Sequence, residues 1–133
     1  MARRPSAPPP SRAQTGRRGE ELAAAHLSRR GFTILDRNVR SRYGEIDIVA
    51  CDGRVLAFVE VKTTRASRRP AATAPLERVG GAQRARLRRL ALSWLLNRPR
   101  GRGRPPEVRF DAIGVVLAPD GRLLALEHVE GAW

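Results

Sequence analysis

The chain has 133 residues, enough for one domain with a modest core and too few for two. Its 26 basic residues outnumber 13 acids, and a net charge of +13 repels itself in a compact state but attracts a polyanion, nucleic acid first and an anionic membrane surface second. The single cysteine, Cys51, excludes an intrachain disulfide framework or a Cys-based zinc site, and no apolar run approaches the roughly 18 residues of a membrane span.

Residues 1–14 carry Pro5, Pro8, Pro9 and Pro10 among Arg, Ser and Ala, which predicts a disordered basic tail ahead of one domain over 15–133. No apolar run follows the basic start, unlike a secretory signal. A soluble, cytoplasmic protein with no membrane partner is the expectation. From Thr15, the segment GRRGEELAAAHLSRRG predicts a helix with Leu22, Ala23, His26 and Leu27 on one stripe, Thr15 as its cap and Gly31 at its end. Strands follow over FTILDRNVRSRYG, GEIDIVAC and RVLAFVEVK, the last two joined at Asp52-Gly53 as a hairpin.

Residues 65–75 read as a loop. Pro75 suits a helix start, and the helix to Asn97 buries Leu87, Leu90, Ala91, Trp94 and Leu95 while Arg84, Arg86, Arg88 and Arg89 point elsewhere. RPRGRGRPP breaks that helix, and VRFDAIGVVLA and RLLALEHVE form two more strands about the turn Pro119-Asp120-Gly121. Helix, three strands, helix, two strands predicts an α/β sandwich with a mixed central sheet. Charge is unevenly placed. Residues 65–109 hold 13 arginines against Glu77 and Glu107, a local surplus of +11, whereas residues 45–62 carry −2.

Side chains alternate across strands, so Glu45 and Asp47 share a face, and Phe58, Glu60 and Lys62 share one on the partner strand. A two-residue Asp-Gly loop pairs Cys51 with Arg54 and sets Glu45, Asp47, Glu60 and Lys62 on a common face; two more loop residues would pair Asp47 with Glu60 and keep that face. Clustered carboxylates repel unless a cation offsets them, and Mg²⁺ takes one or two carboxylates with waters and phosphate oxygens. Lys62 is the only lysine beside 25 arginines, and a lysine differs from arginine in being compact and readily shifted in pKa. The competing reading is an ion-paired, solvated sheet face.

Asp47 followed thirteen residues later by Glu60-Val61-Lys62 resembles the PD-(D/E)xK nuclease signature, with Ile46 in place of the proline. With TGRRGEELAAAHLSRRGFTILDRN, YGEIDIVACDG, VLAFVEVKT, a helical Gln83 and RFDAIGV in that order, residues 15–117 resemble the bacterial YraN family. The resemblance implies a restriction-endonuclease-like three-layer sandwich, similar to archaeal Holliday-junction resolvases. It implies Asp47, Glu60, the Val61 carbonyl and Glu20 as ligands of Mg²⁺ or Mn²⁺, Lys62 as the catalytic lysine, and Gln83 reaching the site from the second helix. Glu20 also reads as a first-turn acid favoured by the helix dipole, and Gln83 as a solvated helix-start residue. Glu45 is open between a ligand and a supporting group, Asp111 reads as structural, and His26 and His128 read as packing or surface residues. Arg65, Arg68, Arg69, Arg84 and Arg88 are the candidate nucleic-acid contacts. The expected activity is metal-dependent hydrolysis of DNA, on branched or structured substrates; cleaving both strands of a branch needs two sites and hence a homodimer, although no dimer surface is evident. The alternative is a non-catalytic nucleic-acid-binding module on the same fold.

Overall fold

The computed structural model describes residues 8, 10–66, 81–98 and 106–133. The tail over 1–7, the loop after Ala66, the helix start at Pro75 and the RPRGRGRPP break fall mainly outside these residues. The elements are α1 (Arg12–Arg29), β1 (Thr33–Ser41), β2 (Gly44–Cys51), β3 (Val55–Arg65), α2 (Gly81–Leu96), β4 (Glu107–Leu117) and β5 (Leu123–Val129).

The five strands form one sheet in the order β1-β2-β3-β4-β5, antiparallel except for the central β3–β4 pair. The parallel pair is covered on both faces, which is why VLAFV and AIGVV are unbroken apolar runs. On one face α1 contributes Ala23, Ala24 and Leu27 to a core with Ile48, Val59 and Ile113. On the other, Leu87, Leu90 and Ala91 of α2 meet Ile46, Val49 and Phe58. Phe58 lies at the centre of that second core, with Trp94 edge-on at 5.7 Å and Phe110 stacked at 5.7 Å.

Helix α1 begins earlier than expected. Ser11, not Thr15, is the cap: its hydroxyl accepts from the Gln14 N–H at 3.1 Å and the Gln14 side-chain oxygen Oε1 accepts from the Ser11 N–H at 2.8 Å. This reciprocal capping box satisfies two donors that a helix start leaves orphaned. It is the serine-x-x-glutamine spacing in SRAQ that sets the boundary. At the other end Gly31, at φ +91°, lets the Gly31 and Phe32 N–H groups reach back to Ser28 and Leu27. Midway, Gly19 lies so close to β3 that a side chain there would run into the Thr63 hydroxyl and methyl groups.

The two histidines pack against each other edge to face, ring centroids 5.2 Å apart, and are also hydrogen-bonding partners, a pairing not expected from the sequence. His26 Nε2 of α1 lies 3.1 Å from His128 Nδ1 of β5, and His128 Nε2 lies 2.9 Å from Asp111 Oδ2. Asp111, 0% exposed, also accepts two hydrogen bonds from Arg109, at 2.8 and 2.9 Å, and one from the Gly131 N–H. Burial opposes the Asp111 charge, but the bonds from His128, Arg109 and Gly131 outweigh it and hold the carboxyl below its ordinary range. With Asp111 ionised, His128 Nε2 must carry a proton, so one further proton is shared between His128 Nδ1 and His26 Nε2.

Two outcomes follow. Gly19→Ala should destabilise the domain by about 1–3 kcal/mol, seen as a lower thermal midpoint and partly restored by Thr63→Ala. Burial, then the charges of His128, Arg30 and Arg29, push the His26 pKa down from 6.5. The unfolded chain therefore binds more protons than the folded one in this window, so stability is full above 6.5 and falls as pH drops below it. Melts from pH 8 to pH 5 should show this loss, and His26→Gln should shallow it.

Candidate active site

The hairpin that carries the site has a different register from the two-residue loop. Asp52 accepts from the Arg54 and Val55 N–H groups, and its own N–H donates to the Val55 carbonyl, which stretches the turn. Cys51 therefore pairs with Leu56 and Ile48 with Val59. Continued by one step, this register sets Asp47 across from Glu60.

At that step the ladder stops. Beyond Ile48 no further β2–β3 pair forms, and the Asp47 carboxylate accepts the Val61 N–H at 2.7 Å. The side chain takes the donor that a continuing strand would have used. The same point breaks the alternation expected of β2: Ile46 lies in the α2 core and Ile48 in the α1 core. Asp47 thus stands where β2 parts from β3, and the four residues do not share the face expected of them: Glu45 joins Glu20 on the α1 side, while Glu60 and Lys62 stay with Gln83 on the α2 side.

From the α1 side Glu20 approaches, so that oxygens of Glu20, Glu45 and Asp47 lie within 4.8 Å of one another. Sequence reasoning missed Asn38. It sits in β1 between the pairs Arg37–Ile48 and Val39–Ile46, hence across from Asp47, at φ +51°. Asparagine is among the few residues that tolerate this left-handed backbone, and that was the only signal available. With its amide nitrogen turned towards the acids, Asn38 donates to Glu45 Oε1 at 2.8 Å and Glu20 Oε2 at 3.2 Å. It ties together two carboxylates that otherwise repel.

From the α2 side, Gln83 Nε2 donates to Glu60 Oε1 at 2.7 Å and Lys62 Nζ lies 3.0 Å from the same oxygen. Glu60 is 7% exposed, and its second oxygen, Oε2, is buried with no hydrogen-bond partner among the described residues. Lys62 is 40% exposed and open to solvent beside it. Among the candidate nucleic-acid contacts, Arg65 ends β3, and Arg84 and Arg88 are exposed on α2, Arg88 lying 6.0 Å over the Phe110 ring. Arg68 and Arg69 are outside the described residues.

Burial, and then the charges of Glu20, Glu45 and Glu60, push the Asp47 pKa from 3.8 up to about 7, against the bond from Val61. Burial and the Glu45 charge raise Glu20 as well. The set is all oxygen, the donor chemistry of a hard cation such as Mg²⁺ or Mn²⁺. Without a cation the folded state keeps the Asp47 proton up to about pH 7 while the unfolded chain loses it near 3.8. Stability should therefore fall as pH rises between those values. Asp47→Asn, which keeps an acceptor for Val61, should raise the thermal midpoint of the metal-free protein at pH 8, with the gain shrinking towards pH 4.

Comparison with known proteins places this sequence in a family. The sequence model of the uncharacterised protein family UPF0102 matches residues 19–115, from Gly19 through β4. The chain is 46% identical over 118 residues to a UPF0102 protein of Frankia alni, covering 89% of this chain and 92% of that protein. It is 47% identical over 110 residues to one of Symbiobacterium thermophilum, covering 83% and 88%. A Streptomyces griseus UPF0102 protein is 45% identical over 122 residues, covering 91% and 97%. The matched span holds every acid of the site together with Asn38, Lys62 and Gln83, and the chain belongs to the uncharacterised protein family UPF0102.

Proposed function

We propose that this protein is a divalent-cation-dependent endonuclease of restriction-endonuclease-like architecture that hydrolyses phosphodiester bonds of DNA, with branched or structured DNA as its substrate class. The observation that carries the reading is the cluster of Glu20, Glu45 and Asp47, with Glu60 near enough for its charge to act on Asp47, bonded to the chain's only lysine and holding one buried oxygen without a hydrogen-bond partner among the described residues. A buried carboxylate oxygen without a donor is costly unless something positive reaches it. The donor set fits Mg²⁺ or Mn²⁺, held by Asp47 and Glu60 with the Val61 carbonyl and Glu20. When bound, such an ion activates a water and neutralises charge on a phosphate oxygen.

The chain's own residues supply the rest. Val61, through its N–H, fixes the Asp47 carboxylate. Gln83 orients Glu60 so that Oε2 remains available. Lys62, held by Glu60 and open to solvent, is positioned to orient a water and stabilise charge on a departing oxygen. The basic balance of +13 supports a polyanionic substrate, and Arg84 and Arg88 are exposed on α2, the helix that brings Gln83 to Glu60.

The test is a cleavage assay over duplex, flap, junction and single-stranded DNA with Mg²⁺ or Mn²⁺. Cleavage of at least one substrate is expected, abolished by EDTA and lowered about 10²–10⁴-fold by Asp47→Ala and Lys62→Ala with binding retained. Binding without cleavage of any substrate, and no cation affinity at Asp47, would instead establish a non-catalytic nucleic-acid-binding module.

A further inference from the structure

A groove runs along the side of the sheet covered by α1, between the first turns of that helix and the end of β3. It is lined by Arg12, Thr15, Glu20, Val61, Thr63 and Arg65. Its two ends differ in chemistry. Glu20 and Val61 are also members of the acidic site, whereas Arg12 and Arg65 bring two permanent cations and Thr15 and Thr63 bring hydroxyls. Neither arginine has an ion-pair partner among the described residues, as is true of most of the described arginines. The Arg65 Nε–H is moreover buried and makes no hydrogen bond among those residues. A covered guanidinium donor that bonds to nothing costs stability, and an anionic oxygen is the acceptor that removes the cost.

From this we infer that the groove is a subsite for a backbone phosphate of a nucleic-acid strand, held by Arg12 and Arg65 with the Thr63 hydroxyl, one position along from the phosphate at the acidic site. The inference rests on the proposed function for the class of polymer. Two features favour a strand over a free anion. The groove is continuous with the acidic site through Glu20 and Val61, so an anion at its basic end is a link away from a group at the other. The basic end also draws its cations and hydroxyls from two elements, Arg12 and Thr15 from α1 and Thr63 and Arg65 from β3. Gly19 sets the width of the groove, because any side chain there would push α1 away from Thr63.

The experiment is anisotropy titration of a labelled DNA strand with the full chain in EDTA, so that hydrolysis plays no part. Arg65→Gln and Arg12→Gln should each weaken binding about tenfold and reduce the slope of log affinity against log salt by about 0.7. Arg54→Gln, on the exposed hairpin turn, serves as the reference surface charge. Strands carrying one neutral methylphosphonate link at successive positions should reveal a link whose neutralisation weakens the wild-type protein but not Arg65→Gln. Losses at Arg12 and Arg65 no larger than at Arg54, no such position-specific link, or full competition by inorganic phosphate at millimolar concentration would each overturn the subsite. Loss of cleavage with the subsite intact would overturn only the catalytic reading, and cleavage with no effect of Arg65 only the subsite. Arg12 lies on an exposed helix start, so its variant remains informative if Arg65→Gln fails to fold.

Discussion

One hydrogen bond organises this molecule: the Val61 N–H given to the Asp47 carboxylate instead of to a neighbouring strand. A β-ladder that ended without it would leave a central-strand donor unmet close to the core. Because a side chain closes the ladder, β2 is free to turn away from β3 at that point, and Ile46 and Ile48 reach opposite cores. The gap so formed is where acids from α1, β2 and β3 meet. The same contact lowers the cost of burying Asp47 but does not cancel it, which is why its proton is held to about pH 7. Asn38, at a backbone angle few residues accept, performs the corresponding task for Glu20 and Glu45.

The order of elements and their faces were legible because both signals are local. Strand runs were bounded by turn residues, and the α2 stripe of Leu87, Leu90, Ala91 and Trp94 had helical spacing. The hairpin register was not, because the Asp52 side chain recruits Arg54 and Val55 into the turn, a bond that Asp-Gly spacing alone does not specify. The Ser11 cap lay inside a proline-rich stretch whose composition masked it. His26 and His128 are 102 residues apart, so no spacing rule could have joined them, and Asp111 gave no hint of its three partners. Within the site, Asp47, Glu60 and Lys62 were visible as a motif. Asn38 was not, since its contribution depends on a backbone angle and on which strand lies opposite.

The electrostatic layout has two poles. Acids are gathered where the sheet splits, and arginines occupy the exposed side of α2 and the far end of the α1 groove. Some of these arginines are held over rings, Arg89 over Tyr43 and Arg98 over Trp94, which limits their conformations without neutralising them. A surface of this kind attracts a polyanion over its whole breadth, while the carboxylates repel it locally unless their charge is met. The same repulsion burdens the fold that must hold these acids together.

The close approach of Gly19 to Thr63 gives α1 the properties of a lever. Arg12 and His26 each lie seven residues from Gly19, so the helix has two arms of about 10 Å about that contact. Glu20 is next to the fulcrum and moves little when the helix tilts, whereas a tilt of about 5° carries each end through about 1 Å in opposite directions. The histidine contact on β5 clamps one arm, and the other ends at the groove. A tilt that draws Arg12 inward thereby pulls His26 away from His128, while the carboxylate at the fulcrum keeps its place.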